Sequence, residues 1–174
     1  KLNEYYINSD VDYSFSRNNV DVMIKKGNLY KDCYFKFDIV KKEKKHSEYL
    51  IGNKNIPVHK NYTISILPDE NLVNEKKIAI GQLKGGKWSY IKSRRKGNEI
   101  TCNPKSFGVF TVIQDDKKPT IKAVNLNEKM TNQKSIKFKV KDNFSGINYY
   151  SASINGEWIL LEYDAKNNLL EHIF

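Results

Sequence analysis

The segment DCYFKFDI, residues 32–39, places an apolar or sulfur-bearing side chain at every second position. Successive side chains of a β-strand point to opposite faces, so this alternation predicts a strand with one buried face and one solvated face. The same period recurs along the chain. Further alternating segments are residues 11–16, 20–24, 61–66, 107–113 (Phe107, Val109, Thr111, Ile113) and 136–141. Short strands at this spacing predict an all-β fold of antiparallel sheets with little or no helix.

Turn residues separate the alternating segments. Asn155-Gly156 suits a type I′ hairpin turn, which needs positive φ at both central residues. Residues 94–96 and a second basic cluster, Lys41–Lys45, fall at apparent turns between strands. The best helical candidate, residues 69–77, is short and lacks an apolar stripe, so we expect a single turn there at most.

The composition changes at residues 114–119, a polar stretch that ends in Pro119. A stretch of this kind between two β-rich regions is typical of an inter-domain joint. We therefore predict two tandem β-sandwich domains of immunoglobulin-like type. The first comprises residues 1–116, and the second is a small domain of residues 117–174.

The chain is basic, with 30 Lys and Arg against 20 Asp and Glu and a formal net charge of +10. The excess is spread over both predicted domains, which permits contact with an anionic cell wall, membrane surface or nucleic acid. The plainer interpretation is solubility, with charged hairpin tips that also discourage edge-to-edge aggregation. No apolar run approaches the length of a membrane span.

The sequence contains no recognisable catalytic, metal or cofactor motif. Its histidines, His46, His59 and His172, belong to no H-x-H or H-x-x-x-D pair. Nucleophile elbows, phosphate loops and dinucleotide fingerprints are absent. We therefore predict no enzymatic activity and no cofactor, and no nucleic-acid-reading module is present.

Two cysteines, Cys33 and Cys102, lie in predicted strands on the side of apolar neighbours. We interpret them as two buried free thiols, and a disulfide across the sandwich is the alternative.

Two groups of residues are candidates for function or for local structure. Trp88 and Tyr90 share one side of a predicted strand and, with Arg94 and Arg95, form a candidate ligand-binding face. The same aromatic residues could instead belong to the core. A second group is predicted to form turns and a hairpin: Asp142, Ser145, Gly146, Asn155, Gly156 and Trp158. Asp142 could offer oxygen atoms to calcium, but capping of the local backbone is the simpler role.

The segments KVKDNFSGI (residues 139–147) and INGEWILLEYD (residues 154–164) resemble part of a known family. They are similar to the C-terminal region of exported zinc metallopeptidases of the lysostaphin type, the peptidoglycan endopeptidases of Bacteroidetes. In that group, β-sandwich modules with a K-D-x-x-S-G-I turn and an I-x-G-x-W-I-L-x-E-Y-D hairpin follow the catalytic domain. Residues 57–64, 96–98 and Gly108 also fall in the family's order. The family's zinc ligands do not occur here, so the resemblance implies the non-catalytic C-terminal region.

The expected function is therefore that of an accessory or interaction module. It would position or regulate an exported cell-wall metallopeptidase in the periplasm or outer envelope. Its partner would be the parent catalytic domain or another envelope protein. The alternative is a surface module that binds peptidoglycan or another anionic glycan, or an adhesin. The start of the chain has neither a signal peptide nor an initiator Met, as expected of a mature exported protein or an excised fragment.

Overall fold

A computed structural model of the chain describes residues 3–40, 47–69, 72 and 77–174. Its contact pattern divides the chain into two compact units, Lys1–Asp115 and Asp116–Phe174. Every regular element among the described residues is a β-strand, and the strands pair in antiparallel fashion. The predicted all-β fold with antiparallel sheets is therefore confirmed. The basic cluster Lys41–Lys45 and His46 lie outside the described residues, as does most of the helical candidate at 69–77.

The first unit contains two sheets. Its strands are β1 Glu4–Ile7, β2 Tyr13–Arg17, β3 Val20–Ile24, β4 Cys33–Val40, β5 Glu48–Ile51, β6 Thr63–Ile66, β7 Ile78–Lys84, β8 Lys87–Ile91, β9 Ser93–Lys96, β10 Glu99–Cys102 and β11 Gly108–Gln114. The six-stranded sheet has the order β1-β4-β5-β11-β7-β8, and the five-stranded sheet has the order β2-β3-β6-β10-β9. The sequence does not predict strands β1 and β5, because four residues with adjacent apolar side chains show too little alternation.

One apolar core is shared by the two sheets of the first unit. In β3, Val20, Val22 and Ile24 are buried while the residues between them are exposed, as the alternation predicts. The ring of Phe15 in β2 stacks on that of Phe35 in β4, with centroids 4.7 Å apart. These contacts join the inner faces of the two sheets and exclude water from a single core.

The segment 107–113 buries only part of the set that its alternation predicts. Phe107 and Thr111 are buried as predicted, but Phe110 and Val112 are buried too, whereas Val109 and Ile113 are only half-buried. The backbone at Gly108 has φ +156°, which an L side chain rarely adopts. This irregular step shifts the alternation after Phe107, so that Val109 points away from the core.

Both cysteines are free thiols. Cys102 in β10 is buried, and burial raises the pKa of its thiol to about 12. Cys33 at the start of β4 is half-buried rather than fully buried, and desolvation raises its pKa as well. The two residues lie in different sheets, as a disulfide across the sandwich would require, but no bond joins them.

The second unit is a smaller β structure with its own core. Its strands are β12 Thr120–Ala123, β13 Ser135–Lys141, β14 Ala152–Ile154, β15 Glu157–Ile159, β16 Glu162–Asp164 and β17 Leu169–Ile173. Four of them form a sheet of order β12-β13-β17-β16, and β14 and β15 form a hairpin. Val140, Leu161 and Leu170 form the buried core, against which Ile159 and Tyr163 pack.

Candidate binding surfaces

The four predicted ligand-binding residues belong to two different sheets. Trp88 and Tyr90 lie in β8, the outermost strand of the six-stranded sheet. Arg94 and Arg95 lie in β9, the outermost strand of the five-stranded sheet, and not in the turn that the sequence predicts. The chain crosses between the sheets at Lys92. Trp88 and Tyr90 therefore belong to one surface, and Arg94 and Arg95 belong to another.

Trp88 and Tyr90 lie on the solvent face of their sheet. Trp88 pairs with Leu83, and Tyr90 pairs with Gly81. Ile91, next along β8, packs against the core, so alternation directs Trp88 and Tyr90 to the opposite side. Tyr90 is 38% exposed and Trp88 is half-buried. Of the two interpretations that the sequence leaves open, the structure places both aromatic residues outside the core.

An apolar row extends from Trp88 across four strands. Leu50 in β5 pairs with Val109 in β11, and the register of β11 with β7 brings Leu83 next to Val109. Leu83 in turn pairs with Trp88. We call these four residues the apolar row. Sequence analysis misses it because Leu50 lies in an unpredicted strand and because simple alternation puts Val109 on the face of Phe107.

Most of the apolar row lies along a cleft of about 780 Å³, hereafter the row cleft, and Trp88 follows beyond its lining at the end of the row. Leu50, Leu83 and Val109 line it. Three lysines, Lys36, Lys54 and Lys84, also line this cleft, together with the backbone of several glycines. Lys36 approaches Glu4 at 3.8 Å, whereas the described carboxylates form no ion pair with Lys54 or Lys84. The row cleft therefore combines an apolar strip with positive charge.

The wall of the row cleft is held by a buried amide. Gln82 is 3% exposed, and its Nε2 donates to Ser106 Oγ at 3.0 Å and to the Phe107 carbonyl at 3.2 Å. These bonds tie β7 to the segment that enters β11. Because the amide is buried, breaking them would leave a polar group unsatisfied, so this wall is fixed in place.

A second cleft, of about 530 Å³, lies beside β9, and we call it the cationic cleft. Its lining residues are Asn61, Ile91, Lys92, Arg94, Arg95, Lys96, Thr101 and Asn103. No carboxylate is among them. Arg94 pairs with Thr101 across the two strands, and Lys96 pairs with Glu99, which does not line the cleft.

The polar groups next to these cations are held by hydrogen bonds. Asn103 Oδ1 accepts from Thr63 Oγ1 at 3.0 Å, and the Asn103 carbonyl accepts from Asn61 Nδ2 at 2.9 Å. The hydroxyls of Thr101 and Ser65 are 3.1 Å apart and form a hydrogen bond. The amides and hydroxyls beside Arg94 are therefore preorganised. Sequence analysis identifies neither Asn61 nor Asn103 as a candidate binding residue, because only strand pairing brings them next to each other.

The second unit exposes aromatic and aliphatic side chains around its hairpin. Tyr149 is 80% exposed, Trp158 is 68% exposed and Leu160 is 59% exposed. Leu161, next in the chain, is buried in the core. These three exposed residues line a shallow cleft of about 280 Å³. We call this set the hairpin patch.

The predicted turn residues of the second unit adopt turn geometry. Asn155 has φ +53° and Gly156 has φ +88°, in agreement with a type I′ turn. Asp142 Oδ1 accepts hydrogen bonds from the backbone N–H groups of Phe144 and Gly146, each at 2.8 Å. Asp142 thus caps the turn around Ser145, which is the simpler of its two possible roles.

The described residues contain no group of three His, Cys, Asp or Glu side chains with the proximity of metal ligands. His59 contacts the ring of Tyr30, with centroids 4.6 Å apart. His172 Nδ1 lies 2.9 Å from the Leu160 carbonyl. In the part of the chain that the structure describes, no helix has the length and apolarity to cross a membrane.

Comparison with known proteins assigns the first unit to a family. Residues 4–115, nearly two thirds of the chain, match the Zu5-like domain. The chain therefore belongs to the Zu5-like domain family. This match gives no link to lysostaphin-type metallopeptidases. No curated protein and no solved structure matches the chain.

Proposed function

We propose that this chain is a non-catalytic accessory module that positions an exported cell-wall metallopeptidase, and that it does so by binding peptidoglycan. The observation that carries this proposal is the apolar row, which ends at Trp88 on the solvent face of the six-stranded sheet. The connection to a peptidase rests on the resemblance of residues 139–164 to the C-terminal modules of that family.

The row cleft suits a glycan strand with acidic peptide stems. Sugar rings present C–H faces that pack on aromatic and aliphatic side chains, and ligand clefts commonly combine such surfaces with a few polar groups. Four strands at the usual spacing span about 14 Å, the length of a short oligosaccharide. Lys54 and Lys84 lie where they can pair with the carboxylates of the peptide stems. The volume of about 780 Å³ lies in the range of ligand sites.

Sedimentation with purified peptidoglycan sacculi across a salt series tests the proposal. We expect the protein to bind and to remain bound at high salt, because packing on Trp88 is not screened by ions. Trp88→Ala should weaken retention by about tenfold or more. Tyr30→Ala is the control, since Tyr30 is an exposed aromatic residue of the same unit, 64% exposed, that belongs neither to the apolar row nor to the lining of the row cleft. Absence of retention, or equal loss in both variants, would overturn the proposal.

The hairpin patch supports a second function, contact with the parent catalytic domain or another envelope protein. Trp158 and Leu160 are both more than half exposed although they are large and apolar. Adjacent exposed aromatic and aliphatic residues are typical of protein interfaces. In this interpretation the first unit binds peptidoglycan and the second unit contacts the catalytic domain or another envelope protein.

This second function is tested by substitutions made in the parent protein. Trp158→Ser with Leu160→Ser should alter its wall-degrading activity or its localisation. Ile121→Ser with Val124→Ser is the matched control, because these residues are 66% and 54% exposed and lie in the same unit outside the hairpin patch. If the first pair changes neither property, the hairpin patch has no role in the parent.

A further inference from the structure

We propose that the first unit carries a second ligand site, the cationic cleft of the five-stranded sheet, which binds an anionic glycan. The ligand is a sugar chain that bears phosphate or carboxylate groups. This inference does not depend on peptidoglycan binding at Trp88, because it concerns the other sheet and different side chains.

The first argument is the concentration of positive charge. Lys92, Arg94, Arg95 and Lys96 come from five consecutive residues and line one cleft. The described carboxylates form no ion pair with Lys92, Arg94 or Lys96, and Glu99 lies outside the cleft lining. Like charges this close repel one another, and the repulsion favours binding of an external anion.

The second argument is the chemistry of the neutral lining residues. Asn61, Thr101 and Asn103 offer amide and hydroxyl groups beside the cations. Hydrogen bonds with Thr63 and Ser65 orient Asn103 and Thr101. These two side chains therefore lose little conformational entropy when a ligand binds. A phosphorylated or carboxylated sugar chain presents anionic groups alternating with hydroxyls. The anionic groups can pair with the cations of the cleft, and the hydroxyls can form hydrogen bonds with its amide and hydroxyl groups.

The same lining argues against the two other common polyanions. Single-stranded nucleic acid that is bound without sequence readout is usually held on aromatic side chains, and no aromatic residue lines the cationic cleft. Membrane surfaces are bound by inserted apolar side chains together with basic residues. The outward positions in the row of Arg94 and Thr101, which continues to Ser65 and Asp21, are polar instead.

Direct binding measurements with soluble polymers test this inference. The probes are polygalacturonate, which carries carboxylates, and phosphomannan, which carries phosphates, with neutral dextran for comparison. Oligo(dT) and phosphatidylglycerol vesicles represent nucleic acid and membrane. We expect at least one anionic glycan to bind at low ionic strength, with no binding to dextran. The anionic glycan should bind more tightly than the DNA or the vesicles.

Charge removal separates the cationic cleft from the overall charge of the protein. The triple variant Lys92→Gln/Arg94→Gln/Lys96→Gln should weaken glycan binding by roughly tenfold or more at low salt, and the salt dependence should become shallower. The control triple Lys117→Gln/Lys129→Gln/Lys166→Gln removes the same charge from exposed positions of the second unit. It should bind almost as the unaltered protein does. All six side chains are exposed, so both triples should keep their thermal unfolding transitions.

Three results would overturn the proposal. They are failure of both anionic glycans to bind, equal weakening by the two triples, and tighter binding of oligo(dT) or vesicles than of the glycans. Equal weakening would mean that net charge alone attracts the polymer.

Discussion

Gly52 lies directly against the aromatic ring of Phe107. A Cβ atom added at position 52 would lie far inside van der Waals contact with Phe107 Cγ. Gly52 also has φ +66°, in the left-handed region that favours glycine. Two independent constraints therefore require glycine where β5 ends and where Phe107 enters the core beneath the row cleft.

We expect Gly52→Ala to destabilise the first unit strongly. The left-handed backbone costs an L residue about 1–2 kcal/mol, and overpacking against Phe107 adds about 1–3 kcal/mol. Gly27→Ala is the matched control, since Gly27 has φ +74° but a Cβ atom added there would meet no atom within 4 Å. Urea unfolding followed by Trp88 fluorescence in a Trp158→Phe background would measure the loss of unfolding free energy in each variant. Equal losses would mean that Phe107 moves aside without cost.

The alternation of apolar and polar residues is enough to predict the fold class, because burial of one sheet face imposes a period of two on strands such as β3 and β4. It fails where a local feature breaks that period. Gly108 shifts the face of β11, and β5 is too short to show a pattern. Residues 94–96 resemble a turn because they are charged and precede Gly97-Asn98, whereas an exposed edge strand accommodates charge equally well.

The candidate surfaces are harder to predict than the fold. Residue type alone identifies Trp88, Arg94 and Arg95 as candidates. It does not identify their neighbours, because the pairing of Leu50 with Val109 joins segments that are distant in sequence. Such pairing is set by the register of the whole sheet and not by any local motif.

We expect Asp142→Ala to destabilise the second unit. Its Oδ1 accepts two backbone hydrogen bonds, from Phe144 and Gly146, and their loss should lower the free energy of unfolding by about 1–3 kcal/mol. Asp142→Asn keeps an acceptor oxygen at the same position and should lose less. The measurement is urea unfolding followed by Trp158 fluorescence in a Trp88→Phe background. Similar losses in the two variants would argue against the capping role.

Asp32 should contribute a pH-dependent part of the stability of the first unit. The backbone N–H of Ser9 donates to its carboxylate at 2.9 Å and, together with the Ser9 and Tyr6 hydroxyls, lowers the pKa of Asp32 below its usual 3.8. A pKa that is lower in the folded state gives stability that is present above the unfolded-state value and is lost as the pH falls through the folded-state value.

The difference in unfolding free energy between the unaltered protein and Asp32→Asn should therefore be largest above about pH 5 and should shrink below about pH 4. Urea unfolding at a series of pH values would measure it. A difference that stays constant over this range would show that the Ser9 hydrogen bonds do not depend on the charge of Asp32.

The two thiols should react at very different rates in the folded protein. Only the thiolate attacks a reagent such as Ellman's, and a pKa of about 12 leaves about one part in ten thousand of Cys102 ionised at pH 8. Burial also blocks the reagent, so Cys102 should react only when the first unit unfolds. Cys33 is half-buried and should react first, although more slowly than a fully exposed thiol.

Single substitutions assign the two phases. Cys33→Ser should leave no reactive thiol in the folded protein, and Cys102→Ser should leave the faster phase unchanged. In denaturant without reductant, two thiols of the unaltered protein should react with the reagent, because both cysteines are free. Absence of any reaction in denaturant would contradict the assignment of both cysteines as free thiols.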